Sequence, residues 1–378
     1  MNFTKVDQFL TTLDQIGIAG TDLCIYLGGK LVHRHMNGLA NREKHIPITE
    51  NTLYRMFSMT KPITCVAMLQ LYEQGKFLLT DPVSNFLPEF ADMLVAHRHP
   101  ATARSITMRQ LFTMTSGLTY DLNTEPLTKL YREKPDFTTR EFVQAVAKSP
   151  LMFQPGDHWY YSLAHDVLAA CVEVISGMKF SEYLRKNIFE PLGIKDWYFW
   201  LPEHEADRSA VRYRFNKETK EFIRDETEQG NSRWNMYQRS PNFESGGAGL
   251  TTTVDEYAKF AMMMTNLGTG ENGARILSRR TMEMMRENQL DAQQQHDFNW
   301  VQFEGYGYGL GVRTLISRAG SGSPGPIGEY GWGGAGGTYF IADPETKLTV
   351  LYAQEANPNN EAYVQPRLRN IIYACLDD

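Results

Sequence analysis

The alternation of apolar and polar positions divides the chain into strand-rich ends and a mainly helical middle. Residues 3–16 have the spacing of a short amphipathic helix. Leu23 to Leu27 and Leu31 to Met36 flank Gly28-Gly29-Lys30, the pattern of a β-hairpin. From Ser58 to about Gln74 the chain is apolar nearly all round (Ile63, Val66, Met68, Leu69, Leu71), which predicts a buried helix stopped by Gly75. His165 to Ile175 predicts a second helix, closed by Gly177. Strand patterns return at Tyr306–Leu315, Thr338–Ala342 and Leu348–Ala353, the last two joined by a turn over Asp343 to Lys347. A terminal helix is expected after Pro366.

Strands at both ends and helices between them imply an α+β architecture. An antiparallel sheet built from both termini is expected, flanked by helices, with an inserted helical region. The expected division is an α/β domain from residues 1–88 and 255–378, with a mainly helical domain from residues 89–254. Two stretches read as borders of a site: 197–245, rich in aromatics (Trp197, Tyr198, Phe199, Trp200, Trp234, Tyr237), and 317–331, rich in Gly, Pro and Ser. Such an aromatic run is more often core than pocket wall.

Composition narrows the class. The 378 residues are 42% apolar and 22% charged, an ordinary globular balance that supports a large core. A net charge of -6, with no clustering of Lys and Arg, argues against a nucleic-acid partner. No run of about 18 apolar residues could span a membrane, and the first residues do not form a signal peptide. Cys24, Cys65, Cys171 and Cys375 are far apart and mostly in apolar runs, as expected of reduced thiols in a cytoplasmic protein.

Candidate chemistry starts at Ser58-Met59-Thr60-Lys61. Residues three apart share a helix face, so the hydroxyl and the amine can meet. A serine needs a neighbouring base to become nucleophilic, and a helix N-terminus favours a developing oxyanion. The pattern alone is weak, since about one or two matches arise by chance in a chain of this length. Ser176-Gly177-Met178-Lys179 is a second match, but it ends a helix and is read as structural.

Other segments stand in order behind Ser58. Gln154-Pro155-Gly156 leads to Tyr160-Tyr161-Ser162-Leu163, and Gly331-Trp332-Gly333-Gly334-Ala335-Gly336-Gly337-Thr338 introduces a late strand. Leu111 to Leu118 reads LFTMTSGL, and Ser245 to Leu250 reads SGGAGL, continued by Asp255-Glu256-Tyr257. Together these resemble the serine β-lactamases, D-alanyl-D-alanine peptidases and their carboxylesterase relatives, over about residues 20 to 375. The resemblance implies a β-lactamase/transpeptidase-like fold and an acyl-enzyme on Ser58. It further implies Lys61 and Tyr161 as a coupled base pair, and an oxyanion hole from the backbone N–H groups of Ser58 and Ala335. Tyr160 is the alternative to Tyr161, which the family's spacing after the Pro-Gly turn favours.

Two departures point to esters. Leu163 stands where lactamases carry asparagine, and Trp332 where they carry lysine. Neither offers a charge or an acceptor for an anionic antibiotic. Both resemble the esterase and statin-acyltransferase branch, with Leu163, Trp332, Gly333 and Gly334 expected at the substrate.

The remaining signals are set aside. Gly331, Gly333 and Gly336 fit a dinucleotide fingerprint, but a hairpin follows where a helix is required. Gly-x-Ser-x-Gly is absent. His33/His35 and His97/His99 are possible metal-site fragments, read as surface histidines for want of an acidic partner. The expectation is an enzyme without metal or cofactor, acting on a small-molecule ester. The rivals are a β-lactamase or D-amino-acid peptidase, an acyltransferase, and a catalytically idle binding module.

Overall fold

A computed structural model of the chain describes residues 1–96, 101–227 and 239–377. Its main sheet has eight strands: β1 (Gly20–Leu27), β2 (Lys30–Asn41), β3 (Ile46–Pro47), β4 (Tyr306–Tyr308), β5 (Arg313–Leu315), β6 (Tyr330–Gly333), β7 (Tyr339–Asp343) and β8 (Leu348–Ala353). Their spatial order is β4-β5-β6-β7-β8-β1-β2-β3, with every neighbouring pair antiparallel. The two ends of the chain meet at β8 and β1, where Cys24 opposes Leu351 and Ile25 opposes Val350.

Period-two alternation sends these residues to different layers. Leu23, Ile25, Ile341, Val350 and Tyr352 pack with α1 (Thr4–Thr11) and α5 (Glu361–Leu376), through Val6, Leu10, Val364, Leu368 and Ile372. Cys24, Phe340, Ala342 and Leu351 face the larger core, which holds α2 (Thr60–Glu73), α3 (Ala164–Ser176) and α4 (Val254–Thr265). A sheet covered on both faces explains why β8 is buried along its whole length. The apolar circumference of α2 has the same cause: it lies inside the larger core, against α3.

Three boundaries differ from expectation. The first helix is α-helical only over Thr4–Thr11; a 3₁₀ turn, Leu13–Ile16, completes it before Gly17 at φ 94°. The predicted strand Tyr306–Leu315 is two strands, because Gly309 to Val312 turn the chain, with Gly311 at φ 87°. Pro366 lies inside α5 rather than before it. Its missing N–H removes one helical bond, while the buried stripe Val364, Leu368 and Ile372 runs through it and holds the helix together. The middle of the chain also carries a hairpin, Tyr213–Asn216 with Glu221–Arg224. All four cysteines are buried free thiols.

Candidate active site

Ser58 sits in a 3₁₀ turn, Phe57–Met59, that leads directly into α2. Phe57 takes φ 45°, a left-handed conformation that costs an aromatic residue about 1–3 kcal/mol and persists only where the surroundings impose it. Those surroundings are visible. The Thr60 hydroxyl donates to the Phe57 carbonyl (2.7 Å) and accepts from the Leu250 N–H (3.1 Å). The Tyr257 hydroxyl of α4 donates to the Met59 carbonyl (2.7 Å).

One turn on, Lys61 is completely buried. Its Nζ donates to Ser58 Oγ (3.3 Å) and to the Gly247 carbonyl (2.6 Å). It also lies 4.6 Å from the ring centroid of Tyr161 and 5.5 Å from that of Tyr120. Burial pushes the ammonium pKa down to about 7, against the opposing pull of the Asp166 carboxylate. A substantial share of Lys61 is therefore neutral amine at physiological pH.

The Gly247 carbonyl is held by a network that the sequence reading passed over. Asp166, on α3, accepts from the Ser245 hydroxyl (2.5 Å) and from the Gly247 N–H (3.2 Å). Thr64, on α2, donates to the Gly246 carbonyl (2.8 Å). This loop crosses α3 so closely that a Cβ on Gly246 would meet Ala169 Cβ and the His165 carbonyl, each at 2.6 Å. The Ser-Gly-Gly-Ala-Gly run was visible as a family phrase. Its glycines were the signal that backbone, rather than side chain, approaches something important.

Tyr161, not Tyr160, points inward: Tyr160 is 40% exposed, whereas Tyr161 stacks on Tyr120 (5.3 Å) and Trp332 (6.0 Å). Burial pushes the Tyr161 hydroxyl well above its usual pKa, opposed by hydrogen bonds with Ser58 and Trp332. Lys61 and Tyr161 are thus shifted in opposite directions, towards neutral amine and neutral phenol. The desolvation that favours the amine disfavours the phenolate, and Lys61 meets the face of the Tyr161 ring.

Trp332, on β6, is buried in an aromatic cluster with Tyr161, Trp300, Phe303 and Tyr308. Trp159 joins it through Trp300 (5.7 Å) and Tyr308 (5.8 Å). Trp300 and its neighbours were missed because they come from distant segments with no shared pattern. The aromatic stretch at 197–245 is instead divided. Trp197 and Phe199 pack on Phe189 and Phe180, Trp200 is exposed, and Trp234 and Tyr237 lie outside the described residues.

Past β6 the chain folds over Ser58's turn. Gly334 donates to the Thr338 carbonyl (2.7 Å), and Gly337 to that of Gly334 (2.8 Å). The Ala335 carbonyl accepts from Arg212 and Asn359, each at 3.3 Å. Among the described residues no protein group accepts from the Ala335 N–H. A Cβ at Gly334 would overlap the Met56 carbonyl oxygen, two residues before Ser58. Gly334→Ala is therefore expected to move this turn and to lower ester kcat/KM by about tenfold or more. The melting temperature, measured beside the kinetics, should fall as well, because the overlap is with backbone that has to move.

Two sequence candidates fall outside this cluster. Leu163 is fully buried at the start of α3, beside Leu118, Leu127 and Val146. Ser176 ends α3, its hydroxyl donating to the Val172 carbonyl (2.6 Å), while Lys179 pairs with Glu244 (2.6 Å). Segment 317–331 likewise borders a separate groove: Ile327 and Gly328 line it with Arg279 and Arg286.

The fold and this constellation define the class: the chain belongs to the beta-lactamase family, whose model matches residues 6–373. It is 31% identical over 366 residues to Esterase EstB of Burkholderia gladioli, covering 92% of this chain and 88% of that one. It is 27% identical over 342 residues to the ML-236A carboxylate methylbutanoyltransferase of Penicillium citrinum, covering 83% and 78%. Among solved structures, EstCE1, a hydrolase with promiscuous acyltransferase activity, superimposes with a TM-score of 0.80 at 26% identity, covering 98% and 97%. Simvastatin synthase from Aspergillus terreus shares the fold (TM-score 0.80, 22% identity, 99% of both chains).

Proposed function

We propose that this protein is a serine hydrolase that cleaves carboxylic esters through an acyl-enzyme on Ser58. The observation that carries the reading is the buried Lys61 amine, 3.3 Å from Ser58 Oγ, with its pKa brought down to about 7. A neutral amine at that distance takes the hydroxyl proton as Oγ attacks the ester carbonyl. The N–H groups of Ser58 and Ala335 stabilise the oxyanion. The proton then passes from Lys61 to the departing alkoxide by way of the Tyr161 hydroxyl, which burial keeps protonated. Water attacks the acyl-enzyme in the reverse sense, and the acid is released. No metal or cofactor is needed for these steps.

The aromatic cluster of Tyr161, Trp300 and Trp332 supports an ester over a β-lactam. It presents apolar surface where an anionic antibiotic requires a cation. The likeness to EstB agrees with this reading. The same apolar surface favours a second reading, acyl transfer, because an acyl-enzyme shielded from water can pass its acyl group to an alcohol. EstCE1 is described as having that activity. The site of action is taken to be the cytoplasm; among the described residues no helix is long and apolar enough to cross a membrane.

The test is a comparison of substrates. Short-chain p-nitrophenyl esters should be turned over at least about a hundredfold more efficiently than a chromogenic cephalosporin. A preference for the cephalosporin would overturn the ester reading. Adding an alcohol acceptor and resolving the products by chromatography separates hydrolysis from transfer.

A further inference from the structure

The two histidines on β2 acquire in the fold the acidic partner they lack in the sequence. Register places His33 opposite Ile25 and His35 opposite Leu23, on the sheet face covered by α1. Arg34, between them, points to the other face and pairs with Asp22 and Asp255. From α1, Asp7 reaches both rings: its Oδ1 lies 2.8 Å from His33 Nε2 and 2.8 Å from His35 Nδ1. The three ligand atoms all lie within 4.8 Å of one another.

We propose that Asp7, His33 and His35 form a binding site for a divalent transition cation of the zinc type, remote from the Ser58 chemistry. Imidazole nitrogen with a carboxylate oxygen is a donor set suited to Zn²⁺, and also to Co²⁺, Ni²⁺ and Cu²⁺. Bonds of about 2.0–2.1 Å in a tetrahedron separate ligand atoms by about 3.4 Å, so each 2.8 Å contact opens by about half an ångström as metal replaces proton. The rings are already oriented. His33 stacks on Phe3 with centroids 4.8 Å apart, and both histidine side chains are only 15% exposed. Asp7 is 40% exposed, which leaves solvent access for the ion and a water ligand.

The site joins α1 to β2 across the face where Phe3 stacks on His33. β3 pairs with β2 only at Leu39 and Asn41, so β2 is an outer strand beside His33 and His35. A bound cation clamps α1 to that strand. Because the ligand atoms come from separate elements, the ion binds the folded chain better than the unfolded one and raises its stability by mass action.

The experiment uses the full-length protein without an affinity tag, stripped with a chelator and titrated with Zn²⁺ in a calorimeter. One equivalent should bind with Kd of about 10 µM or tighter, and the melting temperature should rise with free Zn²⁺. Co²⁺ should give visible d–d absorption on binding. Asp7→Asn should weaken Zn²⁺ at least about tenfold, and the His33→Gln/His35→Gln pair should abolish both the thermal shift and the cobalt spectrum. Ester turnover by stripped and loaded protein should be equal. Failure of wild type to bind one equivalent below about 100 µM would overturn the site. So would affinity unchanged in the variants, which would leave an adventitious ion on other histidines. Should the double variant not fold, the wild-type cobalt spectrum and Asp7→Asn decide alone. The outcome is independent of whether Ser58 cleaves esters.

Discussion

Ser58→Ala is expected to reduce turnover of p-nitrophenyl esters at least about a thousandfold, with the fold intact by circular dichroism. The reason is specific to the position. Ser58 Oγ is the hydroxyl within 3.3 Å of the buried Lys61 amine, and it lies in a turn whose backbone is fixed by Thr60, Tyr257 and the strained Phe57. Ser176→Ala is the control. That serine spends its hydroxyl on the Val172 carbonyl, and its nominal partner Lys179 is paired with Glu244. Its loss should leave kcat and KM within about twofold of wild type. Labelling by a fluorophosphonate ester, located by peptide mass spectrometry, reads the same question without a substrate. Modification at Ser58 that vanishes in Ser58→Ala supports the acyl-enzyme. Undiminished turnover in Ser58→Ala would remove the nucleophile from the proposal.

What the sequence made legible, and what it hid, follows from how each group acts. Ser58 and Lys61 are three residues apart on one helix, so local periodicity brings them together. Both core layers were likewise readable, because strand alternation and the apolar girth of α2 are properties of contiguous residues. The Gly247 carbonyl is a different kind of group. It acts through backbone, is fixed by Asp166 across more than eighty residues, and leaves in the sequence only the glycines that let it approach. Trp300 meets Trp332, and Trp159 meets Trp300, through tertiary packing that no spacing encodes. Leu163 is the converse case: its place in a motif implies the substrate, but the sequence does not show that its side chain is buried where α3 begins. His33 and His35 were paired by strand periodicity, and the missing acid came from a helix two elements earlier.

Lys61→Met should abolish ester turnover, again by at least about a thousandfold, and should at the same time stabilise the fold below neutral pH. A buried ammonium is costly, and here the folded pKa falls from 10.5 to about 7. Below about pH 7 the folded and unfolded chains are both protonated at Lys61, and the full penalty of burying the charge applies. It shrinks as pH rises from about 7 to 10.5, where the unfolded chain still holds the proton and the folded chain has released it. Integrated across that window, the penalty is of the order of 5 kcal/mol at its acid limit. Methionine, of similar length, removes it but leaves the Gly247 carbonyl without its donor, a loss of about 1–3 kcal/mol. The first effect exceeds the second at pH 6, so the variant should melt higher there. The two approach balance near pH 9, and the advantage should vanish. Wild-type kcat/KM should rise through an apparent pKa near 7, because only the neutral amine accepts the Ser58 proton. Thermal melts of both proteins from pH 6 to 9, beside the wild-type pH–rate profile, test the two consequences together. A Met variant that melts lower throughout, with a flat rate profile, would mean that Lys61 stays charged and that the base lies elsewhere.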